Sequence, residues 1–107
     1  MKKPLQEILK TISGVVMEYE GGAGVTKDEL MRMQRSLSTN MYWLTLHNDE
    51  AFKKWNNLKY NFAGSNAGAE TFANEEVPEL RMTRKILEAS KNVSISLTND
   101  ISIIKSE

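Results

Sequence analysis

The sequence predicts an all-α fold: one short and two long helices forming an antiparallel helical hairpin or coiled-coil bundle, expected to self-associate as a homo-oligomer and to bind another protein, as a single domain over residues 1–107. Three observations predict it. Apolar residues recur at helical 3 and 4 spacing along three segments. Glycine-rich or polar stretches separate those segments. The longest segment opens with two start signals that agree on one residue.

The first helix is expected at about residues 4–19, with Leu5, Ile8, Leu9, Ile12, Val15, Val16 and Tyr19 on one face. Pro4 suits a first turn, where its missing N–H is not needed. A turn at residues 20–25 follows, because Gly21, Gly22 and Gly24 tolerate the left-handed backbone of helix ends. The second helix is expected at about 26–62. Thr26 and Glu29 form a capping box, and Val25 with Leu30 has the spacing of a hydrophobic staple. Its stripe runs Leu30, Leu37, Met41, Leu44, Asn48, Ala51, Trp55, Leu58 and Phe62, close to a 3.5-residue period. A helix of that length spans roughly 50 Å and cannot bury its stripe alone. The stripe must pack on the other segments or on another copy. Asn48 either fixes register as a buried polar residue or lies in water at the seam's edge.

Residues 63–75 read as a loop, since Gly64, Ser65, Asn66 and Gly68 break the pattern. The last helix is expected at about 76–105, with Asn74 as N-cap, Pro78 near the first turn and Glu75, Glu76 and Glu79 at its positive end. Leu80, Ile86, Leu87, Val93, Leu97, Ile101 and Ile104 form its stripe. Residues 93–104 also alternate with period two around Thr98-Asn99-Asp100, the pattern of a β-hairpin. The smooth join to the upstream stripe favours helix.

Composition narrows the function classes. With 40% hydrophobic and 26% charged residues the chain resembles a folded protein and not a disordered one. Lys+Arg and Asp+Glu are 14 each, so no global field draws it to nucleic acid or anionic membrane, and any such binding needs a local patch. The absence of cysteine removes disulfides, thiolate nucleophiles and thiolate metal sites. No stretch approaches the ~20 apolar residues of a membrane span. The basic start Met1-Lys2-Lys3 is not followed by a signal-peptide core, so a cytoplasmic location, in a bacterium or a phage-infected cell, is expected.

No catalytic constellation stands out. His47 is the lone histidine and has no second histidine or cysteine for a metal. Gly21-Gly22-Ala23-Gly24 lacks the Lys-Ser/Thr of a phosphate-binding loop. The expectation is a non-enzymatic protein with no cofactor, no metal and no small-molecule substrate. What remains is cationic and aromatic interleaving on the second helix: Arg32, Arg35, Trp43, Lys53, Lys54, Lys59 and Tyr60. Single strands are gripped by cations on phosphates and aromatic faces under bases, so these are candidate nucleic-acid or partner contacts. The bland alternative is that Trp55 is core and the lysines are a solvated face. Trp43, beside Leu44, is expected to cover an interface.

Trp43-Leu44-x-x-His47, then a lysine-rich stretch ending in Tyr60-x-x-x-Gly64, lie between a short first helix and a polar loop leading to a last helix. This layout resembles the recombination mediator proteins of tailed phages, the UvsY family, over about residues 27–107. The resemblance implies single-stranded-DNA binding, a ring-like homo-oligomer and help in loading a recombinase. It would set Lys53, Lys54 and Lys59 on the DNA-facing strip. The small, cysteine-free, Asn/Ser/Lys-rich chain also suits phage-encoded accessory proteins, including inhibitors that dock a helix face on a host defence protein. A scaffolding subunit is a third class.

Overall fold

Helix-forming segments of the expected type dominate the chain. The computed structural model describes residues 3–22 and 26–106. They form α1 (Leu5–Glu20), α2 (Lys27–Tyr60), α3 (Asn66–Glu76) and α4 (Pro78–Ser106), with no strand among them. The fold is all-α, and it is elongated, with extents of 61 × 26 × 20 Å.

Each terminus follows from local chemistry. Pro4 stands just before α1 and its carbonyl accepts from the Ile8 N–H at 3.2 Å. Beyond the other end, Gly22 takes φ +86°, a conformation that would strain a Cβ-bearing residue. Thr26 caps α2 by accepting from the Glu29 N–H at 3.2 Å. The proposed staple partner Val25 lies outside the described residues.

The spine of the molecule is the antiparallel pair α2–α4. Gln34 Nε2 donates to Ser94 Oγ at 3.1 Å and Thr98 Oγ1 at 3.2 Å. Nearer the other end, Asn48 Nδ2 donates to Thr83 Oγ1 at 2.8 Å and the Leu80 carbonyl at 3.3 Å. Ser94 and Thr98 reach the same glutamine because they are one helical turn apart, an arrangement a hairpin turn at residues 98–100 would destroy. The β-hairpin alternative for residues 93–104 is thereby corrected, and α4 runs through them without a break. Asn48 is half-buried and bonded across the seam, not left in water.

The apolar stripe of α2 closes within the chain. Leu30, Leu37 and Leu44 are buried with Met33, Ile8, Ile12, Val15 and Leu97, and Met41 and Trp43 are half-buried against them. A second, smaller cluster joins Ala51 to Val77 and Leu80, with Trp55 and Leu58 alongside. Each fully buried leucine contributes about 1.5–3 kcal/mol relative to exposure. The stripe is therefore covered by α1, α3 and α4, and it no longer calls for a second copy.

The expectation of a loop over 63–75 is corrected, since α3 occupies most of it. Ser65 caps α3, accepting from the Gly68 N–H at 3.1 Å, and Ala67, Ala69 and Ala73 supply strong helix formers. Its buried face is only Ala69 and Ala73, too weak a stripe to register as a periodic pattern. Gly64 and Gly68 make room for Phe62, whose ring stacks on Phe72 at 5.4 Å. A Cβ on Gly64 would meet the Phe62 ring at 2.7 Å. Asn74 likewise lies inside α3 and does not cap the last helix. The break between α3 and α4 is the single residue Val77 at φ −128°, ψ 66°. The following Pro78 drives it out of the helical region, and its buried side chain fixes the corner.

Candidate functional site

The two short helices cover opposite flanks of the α2–α4 hairpin, at opposite ends. On one flank, His47 Nε2 bonds the Lys3 carbonyl at 2.7 Å, Arg32 bonds Glu18 at 2.7 Å, and the Tyr19 hydroxyl donates to Asp100 Oδ2 at 2.6 Å. The Arg32 and Tyr19 contacts tie α1 to the first half of α2 and the last half of α4, and His47, past the middle of α2, holds the residue that leads into α1. On the other flank, Trp55 Nε1 donates to Asn74 Oδ1 at 2.8 Å and Lys59 meets Glu70 at 3.3 Å. Those contacts tie α3 to the last half of α2. Half of each flank is left open.

The open half of the α1 flank is a groove of about 770 Å³ holding His47, Glu50, Lys53, Lys54, Glu79 and Thr83, with Leu5 at its α1 end. Its two lysines and two glutamates balance. The open half of the α3 flank differs in charge. A groove of about 420 Å³ brings Phe52 and Trp55 of α2 beside Arg81, Arg84, Lys85 and Glu88 of α4. Phe52 and Trp55 are stacked, with centroids 6.1 Å apart and planes 19° apart. Arg84 lies over Phe52 at 5.8 Å and Lys59 over Trp55 at 5.2 Å. Among the described residues, Arg81, Arg84 and Lys85 form no salt bridge. Further along the same flank, Met31, Gln34, Arg35, Thr98, Ile101 and Ser102 line a shallower hollow. Gln34 and Thr98 are three and two heptads from Trp55 and Arg84, so the two hollows lie on the same helix faces, roughly 20–30 Å apart.

The cationic strip expected on α2 does not exist as one surface. Lys53 and Lys54 face the α1-side groove, whereas Lys59 faces α3. Lys59 follows Lys53 by six residues and Lys54 by five, which turns it roughly 120–140° around the helix, and only 3 and 4 spacings share a face. Arg32 is engaged by Glu18, whose hydrogen bond and charge raise the guanidinium pKa further. Trp43 packs against the core and meets Tyr42 edge-on at 5.5 Å. Tyr60 is 83% exposed at the end of α2. Arg35 is exposed at the far end of the α3 flank. The cations that do gather, Arg81, Arg84 and Lys85, carry a sequence signal of 3 and 4 spacing on α4. Their relation to Phe52 emerges only from the hairpin register.

No group of residues able to hold a metal ion occurs among the described residues, and none of their helices is long and apolar enough to cross a membrane. The described residues define an elongated four-helix class built on one antiparallel hairpin. Comparison with protein families, curated proteins and solved structures finds no match for the chain.

Proposed function

We propose that this protein acts by binding and not by catalysis, and that it holds single-stranded nucleic acid along the open α3-side flank of the α2–α4 hairpin. One observation carries the reading: a stacked aromatic pair lies beside three cations that no carboxylate among the described residues engages in a salt bridge. Cations that face solvent without a salt-bridge partner attract phosphate, and aromatic faces receive bases of any sequence. The recombination-mediator role implied by the UvsY-like layout needs such a surface, with self-association through faces other than the buried α2 stripe.

Salt titration of oligo(dT) binding, read by anisotropy, tests the proposal. Three to four phosphate contacts give a slope of log K against log salt of about −2 to −3. Absent binding, or binding indifferent to salt, rejects it. The second reading is docking on a partner protein, such as an inhibited host factor. It is favoured by the less charged stretch of the same flank, where Ile95 is 52% exposed near Thr98 and Ser102 and Arg35 is the single charged residue lining the hollow. Such binding would be nearly insensitive to salt.

A further inference from the structure

We infer that Phe52 and Trp55 are a stacking platform for one unpaired base, with Arg84 as its movable cap and Arg81 and Lys85 as holders of the adjoining phosphates. The inference rests on the single-strand reading above and assigns its anchoring site. Trp55 is fixed by the bond from its indole N–H to Asn74, and Leu80 lies at the base of the groove. Phe52 offers the second, nearly parallel face and is 41% exposed. Each ring has a cation over one face, Lys59 on Trp55 and Arg84 on Phe52, so both π faces already take part in cation–π contacts.

Arg84 is the group that can move. It is surface-exposed, it lies on Phe52, and it has no salt bridge among the described residues. A base entering between its guanidinium and the Phe52 ring would be stacked on both sides, as arginine planes stack on bases. The volume of about 420 Å³ falls within the range of small-ligand sites. Glu88 shares the helix face of Arg81 and Lys85, about one turn beyond Lys85, and its charge repels phosphate, so the backbone is drawn toward the Arg81 end of the groove. A duplex is excluded because its bases have no free face to offer.

The test uses a Trp43→Phe background, in which Trp55 is the only indole. An oligo(dT) of about eight residues and an abasic deoxyribose-phosphate chain of equal length are titrated in parallel. The expected result is quenching of Trp55 by oligo(dT), with the abasic chain binding at least fivefold more weakly. Phe52→Leu keeps the apolar volume without the π face and should weaken oligo(dT) at least fivefold, leaving the abasic chain and the helical circular-dichroism signal unchanged. Equal binding of the two chains, or an indifferent Phe52→Leu variant, overturns the platform while salt-dependent binding keeps the single-strand reading. Failure of both chains to bind overturns the two together.

Discussion

The polar contact between Asn48 and Thr83 gives the sharpest handle on how the hairpin holds its register. Asn48→Ala removes two hydrogen bonds across the seam, to Thr83 Oγ1 and to the Leu80 carbonyl. Neither partner is orphaned. Thr83 Oγ1 still donates to the Glu79 carbonyl at 2.8 Å, and the Leu80 carbonyl retains its place in the α4 ladder. The loss is therefore that of two ordinary net bonds, about 1–2 kcal/mol in all. With an unfolding entropy near 0.2 kcal/mol/K for a chain of this size, Tm should fall by about 5–10 °C. Thr83→Val keeps the volume and should cost about 1 kcal/mol. The two changes share one bond, so the double variant should be less destabilised than their sum by about 1 kcal/mol. Urea unfolding followed at 222 nm measures all four corners of the cycle. Additivity within about 0.3 kcal/mol would show that the bond does not form, and the register argument built on it would fail.

Three further outcomes are expected. Leu44→Asp places an unpaired carboxylate at a fully buried position and should abolish the cooperative thermal transition; a folded variant with an unchanged melting point would refute the seam. Gly14→Ala should raise stability by about 0.5–1 kcal/mol in a thermal melt, because a Cβ there meets nothing within 4 Å and α1 gains a better helix former. The Tyr19 hydroxyl has its pKa raised by its hydrogen bond to Asp100 and by burial, so its contribution is intact below about pH 10 and is lost as pH rises through the folded value; Tyr19→Phe should flatten that alkaline decline in chemical unfolding.

Long-range periodicity made α2 legible, since Leu30, Leu37, Leu44 and Ala51 repeat every seven residues and all are buried. The Thr26 cap was equally legible because its chemistry is local. α3 was not, for its two buried alanines give almost no apolar contrast and its glycines resemble a loop. Met33 and Asn40 escaped the stripe because α1 widens the buried face of α2 beyond the seam with α4. The candidate site failed to appear for a different reason. Lys53, Lys54 and Lys59 are close in sequence but divided between flanks, whereas Phe52 and Arg84 are far apart in sequence and joined by register. Composition along one segment reports neither division nor junction.

The same register points to a test of the middle of the bundle. Between the contacts at Gln34 and Asn48, Asn40 comes level with Ser90. Both are buried, at 3% and 1% exposure, and neither Asn40 Oδ1 nor Ser90 Oγ has a hydrogen-bond partner. The Asn40 amide nitrogen is already committed to the Ser36 carbonyl at 2.8 Å. A buried hydroxyl without a partner costs about 1–3 kcal/mol, and Ser90→Ala removes it with almost no change of volume. Stability should therefore rise by about 1 kcal/mol, an increase in Tm of roughly 5 °C. The sign is what decides. If the hydroxyl instead donated to Asn40 Oδ1 in solution, its removal would strand a buried carbonyl, and Ser90→Ala would lower the melting point. A fall would mean that the mid-seam polar pair holds α2 to α4, and a rise that the apolar packing of α1 holds them in spite of it.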